Sequence, residues 1–376
     1  PLPLESVIGP VTVTTDLAVN NPTGPFNNMG VPGAASFHMI APGYGNLNGL
    51  FANPATANPY FVRMASASNA TVLGDALAQA PSFVSLWIGN NDVLGYATSG
   101  GSTGAITPQG TFDFAISTIM GALQQANVQG VMANIPYVET TPHFTTVTHN
   151  IIPLDAATAG AVNGAYAQYN GGLQLAMSYA LIDADEVAQR TIMFIEADNN
   201  AVVIEDEGLT DLSGLGLPNY RQATADDLFV LPSSSFIGTL AVPGNPFTVN
   251  GVAIPLADKW VLVPSEQVEI KAATDAFNAT LKAAADSAGF AFVDANALMQ
   301  ELSNGGIASG NYVLNSDLVT GGVFSLDGVH PNSRGYGLIS NEFLKAIDAT
   351  YGSNFEAAGM LSNVGDYPTN YSPLLQ

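Results

Sequence analysis

The chain of 376 residues is acidic and apolar, with 8 lysine and arginine residues against 31 aspartate and glutamate residues. The formal net charge of −23 excludes nucleic acid as an expected partner, because binding to phosphates needs basic patches, and no two of the cations are adjacent. It argues equally against adsorption to anionic lipid. Hydrophobic residues make up 47% of the sequence, which is not the composition of a disordered chain.

The absence of cysteine excludes disulfides, thiolate metal sites and a cysteine nucleophile. No run approaches 18 unbroken apolar residues, so we expect no transmembrane helix. The sequence opens Pro-Leu-Pro-Leu, without Met and without a charged and then apolar leader. We therefore expect that this is not the primary translation product, and that a piece upstream has been removed or is not included. The charge, the absence of cysteine and the missing leader together favour an exported protein, either extracellular or in the cell envelope.

The first part of the chain contains strands and turns. Residues 6–20, with alternating Val and Thr, predict an N-terminal strand. Residues 21–50 are rich in Gly, Pro and Asn and predict turns, with a short helix over 34–40. A helix is predicted over 71–80. The continuous apolar run 83–88 then favours a strand buried on both faces of a parallel sheet.

The next elements predict a βαβ unit. A helix is expected near 111–126, and a short apolar strand follows at 130–135, before Pro136. Strand, helix and strand at this spacing indicate a right-handed parallel crossover. The fold class expected from this pattern is α/β.

Residues 146–258 interrupt the α/β pattern. They contain an Ala-rich helix over 156–188, an acidic strand-like run over 192–208, and turns rich in Pro, Ser and Gly. We interpret this segment as an inserted subdomain or cap.

The α/β pattern returns after the insertion, with helices over 265–288, 295–303 and 332–350 and a strand over 290–294. The tail after residue 350 is expected to lie along the surface. The predicted organisation is a 1–21 extension, a core in two parts (22–145 and 259–350), the 146–258 insertion, and a 351–376 tail.

Three short segments carry residues suited to chemistry. The last of them contains Asp327 and His330, three residues apart in a loop before the final helix. A carboxylate beside an imidazole can fix the tautomer of the histidine and stabilise its cation, as the base of an acyl transfer requires.

The other two segments lie earlier. Gly89-Asn90-Asn91-Asp92 follows a buried strand, at the sheet edge where ligands bind in open α/β sheets. The side-chain amide of an asparagine there can donate to a developing oxyanion. The Gly-rich loop Asn28-Met29-Gly30-Val31-Pro32-Gly33 can present a backbone N–H to a cleft. Each segment alone also fits a turn or a cap, and their order along the chain is what favours a site.

In that order, the segments resemble blocks two, three and five of the SGNH (GDSL-type) hydrolases: N-x-G-x-x-G from Asn28, G-x-N-D from Gly89 and D-x-x-H from Asp327. Asn134-Ile135-Pro136 also fits the family's fourth conserved stretch. The resemblance covers about 22–145 and 259–350. It implies a flavodoxin-like three-layer α/β/α fold with a parallel sheet and a large insertion, and the activity of a serine esterase or lipase.

The resemblance also implies roles for single residues. Gly30 and Asn91 would be the backbone and side-chain donors of an oxyanion hole, His330 the general base and Asp327 its orienting carboxylate. Asn90, Val93 and Tyr96 could line an acyl pocket, although core packing explains Val93 and Tyr96 equally well. No cofactor and no metal is implied. The substrate would be a small ester, a lipid or an acylated sugar.

The family's first block, a G-D-S or G-N-S turn with the nucleophilic serine, has no counterpart in this sequence. Ser6 lacks the glycine frame, and Ser36, Ser85 and Ser325 lack the tight turn that exposes a nucleophile. The strand before that turn would be central in the implied strand order 2-1-3-4-5, and its loss would leave unpaired ladder edges. We therefore expect a companion N-terminal fragment that carries the nucleophile; the variant in which strand 7–15 fills the central place would be catalytically dead.

Other interpretations remain open at this stage. The protein could be a non-catalytic binding or scaffold protein that keeps the fold, or part of a cell-surface assembly that docks a surface partner through the insertion. His38, His143 and His149 match no metal-binding spacing. The acidic clusters, among them Glu205-Asp206-Glu207, lack the alternating oxygen ligands of a calcium loop, so a solvated acidic surface is the favoured interpretation.

Overall fold

Residues 24–245 and 247–369 are described by the computed structural model, so the strand expected over 6–20 lies outside them. The α-helices of this part are α1 (Pro59–Val62), α2 (Val72–Ala78), α3 (Asn91–Ala97), α4 (Gln109–Gln125), α5 (Pro142–Thr145), α6 (Ala156–Ser178), α7 (Ala184–Arg190), α8 (Pro264–Ala288), α9 (Ala295–Ser303) and α10 (Ser333–Tyr351). The strands are β1 (Phe83–Trp87), β2 (Gln129–Ala133), β3 (Ile152–Leu154), β4 (Ala197–Asn200), β5 (Val203–Glu205), β6 (Tyr220–Gln222), β7 (Leu228–Phe229), β8 (Val261–Leu262), β9 (Ala291–Val293), β10 (Ile307–Ser309) and β11 (Tyr312–Leu314).

A parallel sheet of three strands, in the order β1-β2-β9, holds the elements of the α/β core together. Val84 pairs with Gly130 in β1 and β2, and Val131 pairs with Ala291 in β2 and β9. The helix α4 connects β1 to β2 along the chain. The prediction of an α/β protein with a parallel sheet is confirmed, and each of the three apolar runs forms the strand expected of it.

Helices pack on both faces of this sheet. On one face, α10 places Phe343 against Trp87 and Tyr351 against Phe83, with ring centroids 6.3 and 5.7 Å apart. On the other face, α4 and α8 meet through the stacked rings of Phe112 and Phe277, 4.0 Å apart. The strands β2 and β9 are largely buried between these helices, which explains why their sequences are apolar runs.

The segment 146–258 forms a second hydrophobic core with short antiparallel pairs, β3 with β4 and β5 with β6. The single Ala-rich helix predicted over 156–188 is wrong, because α6 ends at Ser178 and a separate helix begins after Asp183. Ala180 has a positive φ of 53° there, and Asp183 caps α7 by accepting a hydrogen bond from the backbone N–H of Glu186. None of the helices in the described ranges is long and apolar enough to cross a bilayer.

One edge of the sheet has no partner strand among the described residues. The edge of β1 away from β2 faces an open groove of about 1580 Å³. Phe83 is 39% exposed and Ser85 is also exposed, although they belong to the run predicted to be buried on both faces. The strand is therefore covered by helices on its faces but bare along its edge.

Candidate active site

The carboxyl ends of the three parallel strands are tied together by Asn134, which follows β2. Its backbone carbonyl accepts a hydrogen bond from Nε1 of Trp87 at 3.0 Å, and its Nδ2 donates to Oδ1 of Asp294 at 2.8 Å. Its Oδ1 accepts from the backbone N–H of Asn296 at 2.9 Å. These bonds fix the edge at which open α/β sheets bind ligands.

Gly89 makes the sharp turn from β1 into α3. Its φ is +113°, and a Cβ atom there would lie 2.6 Å from Cδ1 of Ile135. Only glycine fits both the conformation and the space. The turn places Asn90 and Asn91 directly at the carboxyl end of β1, where both line the groove.

Asn91 and Asp92 hold the loop that follows the Gly-rich segment. Nδ2 of Asn91 donates one of its two N–H groups to the carbonyl of Ala34 at 3.0 Å. The carboxylate of Asp92 is buried and accepts from the backbone N–H and the Oγ of Ser36 at 2.8 and 2.7 Å. Burial raises the pKa of Asp92, and the bonds from Ser36 oppose that rise. Ser36 is therefore a buried structural serine.

Gly30 lies on the same groove as Asn90 and Asn91. Its backbone N–H donates to Oδ1 of Asn28 at 2.9 Å. An oxyanion at Gly30 would have to replace that side chain as the acceptor. Gly30 and Asn91, the two residues expected to donate to an oxyanion, therefore line one groove. The N–H of Gly30 is already hydrogen-bonded to Asn28 within its own loop.

Asp327 and His330 form a hydrogen-bonded pair before α10. Nδ1 of His330 lies 2.7 Å from Oδ2 of Asp327. Oδ1 of Asp327 accepts from the backbone N–H groups of Val329 and His330 and from Oγ of Ser325. The carboxylate is thus fixed by its own loop and orients the imidazole, as expected from the spacing.

The pair shifts both pKa values in the direction that favours an ion pair. The hydrogen bond to Asp327 raises the pKa of His330, and partial burial opposes the rise. Burial acts to raise the pKa of Asp327, but the bonds from His330, Val329 and Ser325 together hold it well below its usual range. An imidazolium formed at His330 is therefore stabilised by a carboxylate that stays ionised.

Sequence reasoning missed His143, which supports this loop from 184 positions earlier in the chain. Its backbone N–H donates to the carbonyl of Gly328 at 3.0 Å, and its Nδ1 lies 3.0 Å from the carbonyl oxygen of Asp327. Gly328 has a φ of +71°, and a Cβ there would meet the backbone nitrogen of His143 at 2.6 Å. Burial lowers the pKa of His143. A lone histidine in a Thr-rich loop gave no sequence signal for this contact.

The direction of α10 relates His330 to the groove that Gly30 and Asn91 line. Tyr351 at the end of the helix packs on Phe83 at the start of β1, and Phe343 packs on Trp87 at its end. The helix therefore runs opposite to β1 and begins at the carboxyl edge of the sheet. Tyr336, in its first turn, lines the groove, and the charge of Asp327 adds to burial in raising the pKa of Tyr336.

The three residues expected to line an acyl pocket lie in different places in the structure. Asn90 lines the groove, whereas Val93 is fully buried in the core. Tyr96 points toward α8, where its hydroxyl donates to Oε2 of Glu269 at 3.2 Å. Packing accounts for the positions of Val93 and Tyr96.

A group of three carboxylates lies outside the groove. One oxygen each from Glu207, Asp258 and Glu266 lies within 4.8 Å of the others, and the histidines of the chain form no such group among the described residues. Burial, followed by the neighbouring carboxylates, raises the pKa of Glu266 to about 8 and that of Asp258 to about 6. Burial and the neighbouring carboxylates thus favour the protonated form of Glu266.

Comparisons of this chain with protein-family models, with curated proteins and with solved structures found no match.

Proposed function

We propose that this protein is a serine-type hydrolase of ester bonds, with the mechanism and the flavodoxin-like three-layer fold that its resemblance to the SGNH hydrolases implies. The observation that carries the proposal is the arrangement at the carboxyl edge of the sheet. Gly30 and Asn91 share a groove there, and α10 begins at the same edge, just after the hydrogen-bonded pair of Asp327 and His330.

In this mechanism the chain supplies the base and the oxyanion donors. Nε2 of His330 accepts the proton of a serine hydroxyl as its oxygen attacks the ester carbonyl, and Asp327 stabilises the resulting imidazolium. The N–H groups of Gly30 and Asn91 donate to the negative oxygen of the tetrahedral intermediate. His330 then gives its proton to the departing alcohol, and a water molecule cleaves the acyl-enzyme by the same steps.

We place the nucleophilic serine on a companion N-terminal fragment. Two observations support this placement. Ser36 is buried against Asp92, and Ser325 donates its hydroxyl to Asp327 instead of facing a base. The edge of β1 is also open at the position where the implied strand order puts the strand before the nucleophile.

A small ester, a lipid or an acylated sugar is the proposed substrate class, and the proposed location is outside the cell or in the cell envelope. The steps above need no metal and no cofactor. The carboxylate-rich, acidic composition suits an exported protein that stays dispersed in solution.

The proposal is tested by labelling with a fluorophosphonate probe and by hydrolysis of p-nitrophenyl acetate, with the protein purified from its natural source. The His330→Gln variant should lose both signals, whereas His149→Gln, which alters a histidine with no bond to the site, should keep them. Full labelling of His330→Gln would overturn the role of His330. Absence of any labelling in the parent protein would favour a non-catalytic scaffold, for which the bond between Gly30 and Asn28 gives some support.

A further inference from the structure

The free edge of β1 presents unused hydrogen-bonding groups to the groove. The carbonyl of Ser82 accepts from the backbone N–H of Gln129 in β2. Alternate residues of a parallel strand bond to the same neighbour, so Val84 and Leu86 also face β2. The backbone N–H and C=O groups of Phe83, Ser85 and Trp87 therefore point into the groove, and no partner for them exists among residues 24–245 and 247–369.

The walls of the groove are apolar on both faces of the sheet. Ile119 and Leu123 of α4 line it on one side, and Phe343 and Ile347 of α10 line it on the other. An unpaired strand edge between two apolar walls is unfavourable for two reasons. Its backbone N–H and C=O groups lack hydrogen-bond partners, and the apolar side chains of the walls stay exposed to water. A strand laid along β1 would satisfy both needs.

The far side of the groove is formed by residues 27–31, which run in the same direction as β1. The carbonyl of Phe26 accepts from Nε2 of Gln79, close to the start of β1. Gly30 and Val31 reach the carboxyl edge, where Ala34 contacts Asn91. Neither segment bonds to the other in the described ranges, so the groove lies between two chain segments as an empty strand position would.

We propose that this groove docks one β-strand from a separate polypeptide, parallel to β1 and apolar at each of about five positions. Five residues of strand extend about 17 Å, the length of β1. Both neighbouring faces are covered by helices, so both sets of alternating side chains must be apolar. The strand would end at Gly30 and Asn91; the idea that it carries the nucleophile rests on the proposed function, but the docking itself rests on the sheet.

The chain's own residues 11–15 fit the groove less well. Their sequence, Val-Thr-Val-Thr-Thr, would place threonines against one of the two apolar walls. Pro10, just before them, has no N–H to donate and limits the extension of such a ladder beyond residue 11. A strand with the composition of β1 itself is the better match.

Hydrogen exchange measured by mass spectrometry on the full chain tests this docking. The probe is the synthetic peptide SGVIVFVGSG, compared with SGVIPFVGSG, in which proline removes a ladder donor, and with SGVTVTTGSG, which copies residues 11–15. In the chain alone, we expect the amides of Phe83, Ser85 and Trp87 within 83–87 to exchange at least tenfold faster than those in 129–133. The first peptide should slow exchange in 83–87 by at least tenfold, and the other two should have little effect.

Two substitutions sharpen the test. Ile347→Glu adds a charge to the groove wall and should weaken protection by the peptide, whereas Val268→Glu adds the same charge at a position 68% exposed on α8 and should not. The docking proposal is overturned if 83–87 is already as protected as 129–133, or if the proline peptide protects equally. It is also overturned if the copy of residues 11–15 protects best. If Ile347→Glu does not fold, the comparison of the three peptides in the parent chain still tests the docking proposal. The result of that comparison does not depend on whether the protein hydrolyses esters.

Discussion

Oδ2 of Asp327 lies 2.7 Å from Nδ1 of His330, while Oδ1 of the same carboxylate accepts three hydrogen bonds from its own loop. Both side chains are more than half exposed, at 52% and 65%. The pair is thus held by local geometry and not by burial, and it remains open to a substrate.

Replacement of Asp327 by Asn should lower the pKa of His330 toward that of a free histidine, because the hydrogen bond to the carboxylate is the main cause of the raised value. Titration of the His330 ring by NMR measures the change. The control Asp198→Asn removes an exposed carboxylate of the insertion and should leave the titration of His330 as it is. An unchanged His330 titration in Asp327→Asn would show that the carboxylate does not act on the ring.

The same pair predicts a pH dependence of stability. The pKa of Asp327 is lower in the folded protein, so its contribution is present above the unfolded value near 3.8 and is lost as the pH falls toward the folded value. The pKa of His330 is higher in the folded protein, so its contribution is full below 6.5 and is lost as the pH rises through the folded value. Urea unfolding of parent and Asp327→Asn across pH 3–9 should show the largest difference between these limits.

Asn91→Ala should reduce ester turnover by about 10²–10³, the usual loss when one oxyanion donor is removed. The fold should tolerate the change, since the described contact of the side chain is one bond to the carbonyl of Ala34. The exposed Asn69→Ala serves as the matched control and should retain full turnover. Steady-state kinetics and a thermal melt of each variant separate lost catalysis from lost structure, and full activity in Asn91→Ala would remove Asn91 from the site.

Gly328→Ala should lower the free energy of unfolding for two reasons. The left-handed backbone conformation alone costs about 1–3 kcal/mol, and the contact of the new Cβ with the backbone of His143 adds to that loss. Gly359 has nearly the same φ, +72°, and open space around it. The Gly359→Ala variant therefore measures the conformational part alone. Equal unfolding free energies for the two variants in urea would show that the contact with His143 does not constrain the loop.

Glu266→Gln should stabilise the protein at alkaline pH. The pKa of Glu266 is raised from 4.5 to about 8, so its favourable protonated form is present below the unfolded value and is lost as the pH rises through about 8. Glutamine keeps an acceptor for the backbone N–H of Val263 and never ionises. We expect a gain of about 1–3 kcal/mol at pH 9 and little change at pH 5, by urea unfolding. The exposed Glu301→Gln should show no such slope; a shared slope would contradict the prediction.

The sequence was sufficient for the strands and helices with a strong apolar pattern. The run 83–88 predicted β1, and the limits of α8, α9 and α10 were expected within one residue. The break after α6 was missed, because Ala and Tyr continue the helical composition past Ser178. Asp183 and Glu186, three residues apart, were the available capping signal.

Contacts between distant segments could not be predicted from the sequence. The bonds from Ser36 to Asp92 and from His143 to the Asp327 loop join residues separated by 56 and 184 positions. Such contacts depend on the packing of whole elements and leave no local pattern. The open edge of β1 was anticipated only through the resemblance, since the missing first block implied a missing central strand.

The proposed hydrolase is tested most directly by fluorophosphonate labelling of the protein from its natural source, followed by denaturing intact-mass measurement and mapping of the labelled peptide. We expect one labelled serine on a polypeptide that accompanies residues 1–376, with labelling abolished by His330→Gln. A labelled serine within 1–376 would contradict the companion fragment, and a sample that takes up no label would contradict the hydrolase itself.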